Sequence, residues 1–172
     1  MMPWIALAFL VLLFHPDAPV KSAADPAWSK PFQQELRGKV IRIVDGDTFE
    51  MLLSTRETVN VRLDGIDAPE RGMPFATVSK NYLAQLCFGK QVRLDVSKRD
   101  RWKRPIAKVY VDGSSAEVGE QMVRAGMAWH FTKYSNSTTL DRAERDARIA
   151  KRGLWADPNP VAPWLWRKAK RR

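Results

Sequence analysis

The sequence predicts an α+β fold that is mainly β, on three observations. Residues 39–45 and 48–53 are rich in β-formers and are joined at Asp45-Gly46, a strong turn signal; Val59, Val61 and Leu63 then alternate with Asn60, Arg62 and Asp64. Phe75, Val78, Tyr82 and Leu86 recur at spacings of three and four, the period of a helix with one apolar face. Residues 91–96 and 104–111 return to a strand pattern, with Ala107, Val109 and Val111 on one face. Five short strands with a helix after the third suit a partly open Greek-key barrel of the OB type.

Local signals set the remaining boundaries. Pro74 stands near the start of the first helix and Gly89 just past its end. Ser114-x-x-Glu117 reads as a capping box opening a short second helix that stops at Gly126. Thr138-x-x-Asp141 opens a third, with Leu140, Ala143, Ala147 and Ala150 on its apolar side. Lys151 and Arg152 favour the dipole at its end, and Gly153 stops it. The expected domain is a five-stranded OB-fold barrel with three packed helices over residues 38–156. Residues 25–37, with Pro26 and Pro31 and no period, read as a linker. Residues 157–172 read as a basic tail holding Trp164 and Trp166.

A chain of 172 residues suits one domain plus tails at roughly 150 residues per domain. With 45% hydrophobic and 28% charged residues, it is not the composition of a disordered chain. One cysteine excludes an intrachain disulfide framework, and two histidines beside it are too few for a Cys/His zinc cluster. The net charge of +10 favours a polyanionic partner, either nucleic acid or an acidic membrane surface.

Residues 5–14 form an unbroken apolar run, too short for the roughly 20 residues that span a bilayer. Ser22-Ala23-Ala24 follows with small residues, so residues 1–24 are expected to be a signal peptide cleaved after Ala24. The expected location is secreted, periplasmic or in the cell envelope. An uncleaved anchor is the alternative, since no Lys or Arg precedes the run. Cleavage removes Lys21 and Asp17, one charge of each sign, so the excess of positive charge belongs to the mature chain.

Three segments place acids and arginines where connections meet strands. They are Asp45-Gly46-Asp47-Thr48, then Arg62 through Asp67-Ala68-Pro69-Glu70, then Arg101-Trp102-Lys103-Arg104. Taken singly, each also reads as a hairpin turn, a polar loop or a solvated basic loop. Asp47 lies just past the turn, where turn chemistry does not require it. Pro69 holds Ala68 extended, which is expected to aim Asp67 and Glu70 outward from a rigid corner.

Together these segments resemble the staphylococcal nuclease family. The resemblance runs through Val44-Asp45-Gly46-Asp47-Thr48, Val61-Arg62-Leu63-x-Gly65-Ile66-Asp67-Ala68-Pro69-Glu70 and Asp100-x-x-x-Arg104. It continues through Val123-Arg124-x-Gly126-x-Ala128 and Gly153-Leu154-Trp155, and covers about residues 38–156. It implies an OB-fold barrel and calcium-dependent hydrolysis of DNA and RNA. It implies Asp47, Asp67 and the Ala68 carbonyl as calcium ligands, Glu70 as general base, and Arg62 and Arg104 as the phosphate-binding arginines. The short interval from Glu70 to the helix departs from the long lysine-rich loop of the type member. Thr132 stands at one of its two tyrosine positions, and Tyr134 matches the other.

The chemistry asks for such a set on its own account. A hard cation with oxygen ligands neutralises charge on a phosphodiester, arginine forks hold its plane, and a carboxylate orients or deprotonates water. Arg101, Trp102, Trp129, Phe131 and Tyr134 are candidates for substrate contact, with core or rim packing as the alternative for the aromatics. His130 is expected at the surface or rim, and Cys87 as a small buried hydrophobe. DNA and RNA are the expected partners, with no stable protein partner, a monomeric chain, and membrane-surface attachment open through the N-terminal segment or the basic tail. Two other readings stand beside the nuclease: a weak or inactive nucleic-acid-binding OB module, and an envelope-attached basic protein. Trimming the chain after Trp166 is expected to lower salt sensitivity and leave catalysis nearly unchanged.

Overall fold

The computed structural model describes residues 34–171, so the expected signal peptide and residues 25–33 of the expected linker lie outside the described residues. Seven strands and four α-helices follow in order: β1 (Gln34–Ile43), β2 (Thr48–Leu53), β3 (Thr58–Leu63), β4 (Ile66–Asp67), α1 (Ala76–Cys87), β5 (Gln91–Arg99), β6 (Pro105–Val111), α2 (Val118–Arg124), β7 (Trp129–His130), α3 (Thr138–Ile149) and α4 (Pro163–Ala169). A short 3-10 helix, Gly153–Ala156, precedes α4.

Five strands form a barrel in the order β1-β2-β3-β6-β5. The barrel is closed rather than partly open, because β1 pairs on both sides. Its first half lies against β5 (Gln34 opposite Val96) and its second against β2 (Ile43 opposite Phe49). A register shift between Val40 and Arg42 lets the strand bend from one partner to the other. This corrects the linker boundary: residues 34–37 are strand. All barrel pairs are antiparallel except β3 with β6, where Arg62 faces Ile106.

The barrel interior holds Phe49, Met51, Val61, Leu63, Leu94 and Val109, all essentially inaccessible. Full burial of one such side chain contributes about 1.5–3 kcal/mol, so this layer dominates the stability of the barrel. The helices cap it with Leu83 and Cys87 from α1 and Met122 from α2.

Several expected faces and caps differ. The buried face of α1 is Ser79, Leu83 and Cys87, while Val78 is exposed. Ser79 turns inward because its hydroxyl donates to the Met127 carbonyl at 2.7 Å, so a polar residue takes the core side. The Ser114 hydroxyl accepts from Ala116 N, not from a helix terminus. Glu117 forms a bridge with Tyr110, which keeps the chain extended until α2 starts at Val118. Ser137, not Thr138, caps α3 by accepting from Leu140 N. Leu140, Ala143 and Ala147 are buried as expected, and Ala150 is exposed.

The tail is structured. Residues 163–169 form a fourth helix, where three were expected. Trp129, Ala147, Leu154, Trp155 and Ala162 make a second apolar cluster, with Phe75 and Trp164 packed on it. This cluster depends on a backbone contact between Gly126 and the 152–154 turn. Leu154 N donates to Gly126 O at 2.8 Å, and a Cβ on Gly126 would stand 2.1 Å from the Arg152 carbonyl oxygen. Gly126 also has φ +69°, which only glycine adopts without cost.

Candidate active site

The register of the barrel brings the acids and arginines together. Thr48 lies opposite Arg62 across β2 and β3, so Asp47, one residue earlier, reaches the Arg62 side chain. β4 is held by β7, with Asp67 paired to Trp129, and this fixes the second carboxylate behind the same arginine. Arg62 then spans the two acids. Its Nη1 donates to Asp47 Oδ1 at 2.7 Å and its Nη2 to Asp67 Oδ1 at 2.9 Å.

Asp47 is further fixed by Thr48 Oγ1, 2.9 Å from its Oδ1, and by Ala68 N, which donates to its Oδ2 at 3.0 Å. Gly46 allows this closeness. A Cβ there would lie 2.0 Å from Ser79 Oγ and 2.7 Å from the Ala68 Cβ. Asp47 and Asp67 are both buried, Asp67 completely. The expectation that Asp67 points outward is therefore corrected: β4 tucks it against Arg62, and only Glu70 of the pair reaches solvent.

The electrostatics follow from this crowding. Burial pushes the Asp67 carboxyl above its ordinary value, while hydrogen bonds from arginine pull it back. Arg62 is held more firmly protonated by Asp47 and Asp67. Asp45 accepts from Asp47 N at 3.0 Å. Burial, then the neighbouring Asp47 charge, pushes its carboxyl from 3.8 up to about 6.

A carboxyl with a higher value folded than unfolded binds its proton more tightly in the folded state. Stability then declines as pH rises from 3.8 to about 6, and the penalty is complete above that window. Asp45→Asn is expected to stabilise the protein by about 1–2 kcal/mol at pH 8 and by nearly nothing at pH 3. Thermal unfolding at the two pH values checks it, and equal shifts at both would contradict the burial argument.

Arg104 stands immediately before β6. Its Nε donates to Asp100 Oδ2 at 2.7 Å, and Asp100 Oδ1 accepts from both Trp102 N and Arg104 N. No ion pair links Arg104 to Asp47, Asp67 or Glu70 among the described residues. Its guanidinium lies 5.1 Å from the Trp102 ring, and that of Arg101 lies 4.0 Å from the same ring. Trp102 is 62% exposed, so this arginine–tryptophan stack faces solvent. Tyr134 is 58% exposed, with Lys98 and Lys133 near its ring.

Two other expectations are corrected. Trp129 is buried in edge contact with Trp155 and Trp164, under the Arg148 guanidinium, and presents no face to a base. Phe131 is half-buried, with Trp164 stacked on one face. His130 is buried rather than at the surface; its Nε2 lies 3.1 Å from Ser135 Oγ, and its place on β7 draws it inward. Cys87 is buried as expected, and burial pushes its thiol to about 12.

The residue that sequence patterns missed is Arg167. Its Nη2 donates to Asp67 Oδ2 at 2.6 Å and its Nη1 to Asp67 Oδ1 at 3.2 Å and to Glu70 Oε1 at 2.5 Å. The only signal was Pro163-Trp164-x-Trp166 in the tail, apolar residues at odds with a solvated basic end. Cutting after Trp166 therefore alters the site itself, and the expectation of unchanged catalysis is withdrawn.

Among the described residues, no group of three or more His, Cys, Asp or Glu side chains converges as a metal site. The donors that fit a metal are fewer: the Asp47 and Asp67 carboxylates and the Ala68 carbonyl, which accepts no backbone hydrogen bond among the described residues. They are oxygen donors only, which a hard divalent cation matches.

Comparison with known proteins agrees with the geometry. Residues 60–157 match the family described as staphylococcal nuclease homologue. An uncharacterised endonuclease of Escherichia coli O157:H7 is 40% identical over 137 residues, covering 79% of this chain and 88% of that protein. A micrococcal nuclease of Shigella flexneri is 37% identical over 155 residues, covering 85% and 86%. An uncharacterised endonuclease of Haemophilus influenzae is 38% identical over 133 residues, covering 77% and 74%.

Proposed function

The chain belongs to the staphylococcal nuclease family, and on that premise we propose that it is a calcium-dependent nuclease hydrolysing phosphodiester bonds of both DNA and RNA. The observation that carries this reading is the buried Asp47–Arg62–Asp67 bridge with Glu70 beside it.

Asp47, Asp67 and the Ala68 carbonyl would hold calcium, which would supply positive charge opposite the phosphate. Glu70 orients the attacking water and accepts its proton. The water oxygen bonds to phosphorus as one phosphorus–ester oxygen bond breaks, and the departing oxygen takes up a proton from solvent. Arg62 and Arg104 stabilise charge on the phosphate oxygens, Arg62 from the floor of the site and Arg104 from the edge of β6. The exposed Trp102 and Tyr134 offer faces on which any base stacks, with Arg101 beside them for the backbone. Such contacts read no sequence and no sugar, which supports a substrate class spanning DNA and RNA.

Digestion of single- and double-stranded DNA and RNA with each divalent metal in turn tests the proposal. All four are expected to be cut with calcium and none in chelator. Binding without cleavage under every metal would favour the inactive OB module.

The same proposal places the protein outside the cytoplasm. The apolar run at residues 5–14 and the small residues before Asp25 support export. Among the described residues, no helix is long and apolar enough to cross a membrane. The N-terminal sequence of the envelope or secreted product is expected to begin near Asp25, and an intact Met1 would contradict cleavage.

A further inference from the structure

Arg167 reaches the two carboxylates because α4 is anchored beside them. Ala162 and Pro163 are buried at its start. Trp164 stacks on Phe131 with ring centroids 5.1 Å apart and planes 6° from parallel, and meets Trp129 edge-on at 5.6 Å. Trp164 and Arg167 are three residues apart, so the same side of the helix carries the anchor and the cation.

The guanidinium spends both terminal nitrogens on acids. Both Asp67 oxygens and Glu70 Oε1 accept from it, and Asp67 Oδ1 also accepts from Arg62. Arg167, like Arg62, turns its fork onto acids, and among the described residues it alone reaches Asp67 Oδ2 and Glu70, the acids assigned to calcium and to the attacking water. The Arg167 nitrogen on Asp67 Oδ2 and a metal on that same oxygen exclude each other. Nucleic acid has the means to resolve the competition, since its phosphates accept the same arginine fork. Lys168, Lys170 and Arg171 lie exposed on and after α4, where a polyanion draws the segment off.

We propose that α4 is a tethered plug: Arg167 acts as an internal stand-in cation on Asp67 and Glu70, and calcium and nucleic acid bind by displacing it. This rests on the nuclease reading above. A site open only part of the time binds metal more weakly by the fraction of time it is open.

The test is calcium binding by calorimetry on the full mature chain, for wild type, Arg167→Ala and Arg167→Lys, with amide exchange of residues 163–169 measured with and without calcium. Arg167→Ala is expected to bind calcium about 10-fold tighter or more. Arg167→Lys, which keeps the charge and loses the fork, is expected to fall between it and wild type. Saturating calcium is expected to speed exchange in α4 of the wild type. Calcium affinity unchanged or weakened in Arg167→Ala, or exchange in α4 unchanged or slowed by calcium, overturns the plug. If calcium-dependent cleavage persists alongside either result, only the plug fails. If neither wild type nor Arg167→Ala binds calcium or cleaves with it, the nuclease reading fails and the plug falls with it.

Discussion

Replacing Glu70 with glutamine is expected to lower kcat by about 10²–10⁴-fold, the range for losing a general base. The substitution keeps the shape of the side chain and removes its capacity to take a proton. Glu70 is well placed for the role. Its backbone is fixed, with its N–H 3.2 Å from Met73 Sδ and its carbonyl accepting from Met73 N, while its side chain reaches the solvent edge of the site. The competing account is that Glu70 serves stability through Arg167. That pair is about a third exposed on both sides, and such pairs contribute at most about 1 kcal/mol. A shift that small moves the melting midpoint by a few degrees and leaves catalysis by the folded protein intact. Single-turnover cleavage, substrate binding and thermal unfolding of this one variant separate the accounts. Affinity is expected to hold or improve, because a negative charge near the phosphate is gone. An unchanged cleavage rate removes Glu70 from the mechanism.

Arg62→Lys is expected to lower the rate by on the order of 10²-fold or more, as when one transition-state donor is lost. The charge survives, but lysine lacks the fork that here reaches Asp47 and Asp67 with separate nitrogens. Stability falls as well, because both carboxylates are buried and one loses its partner; breaking a buried pair costs up to about 3–5 kcal/mol. Arg104→Lys is expected to match it in rate and differ in stability. Arg104 holds only Asp100, at a partly exposed loop. Rates and unfolding midpoints measured on both variants check the distinction. Near-normal rates with lysine at either position would reduce that arginine to a general positive field.

What could be read of this site came from short local segments that together resemble the staphylococcal nuclease family, since singly each also reads as a turn or a loop. Asp47 stands just past a turn that does not need it, Arg62 alternates away from Val61 and Leu63, and β2 begins and ends where the pattern places it. What was not legible depends on distant partners. β1 runs into the expected linker because β5, far along the chain, supplies its second edge. Ser79 displaces Val78 from the core because a carbonyl beyond α2 awaits its hydroxyl. His130 read as a surface or rim residue, and Trp129 as a base contact or a packing residue, until β7 pairs with β4 and Trp164 meets Trp129 edge-on. Arg167 looked like one cation among many. Its partners lie about a hundred positions earlier, and no local period encodes that meeting.

One measurement addresses directly the proposal that Asp47 and Asp67 hold a metal that the chemistry requires. Single-turnover cleavage of a labelled oligonucleotide is followed for wild type, Asp47→Ala and Asp67→Ala, with calcium at ordinary and high concentration and with chelator. Wild type is expected to cut only with calcium, and both variants to be crippled at ordinary calcium with partial return at high calcium. Full activity of either variant in chelator would contradict the account.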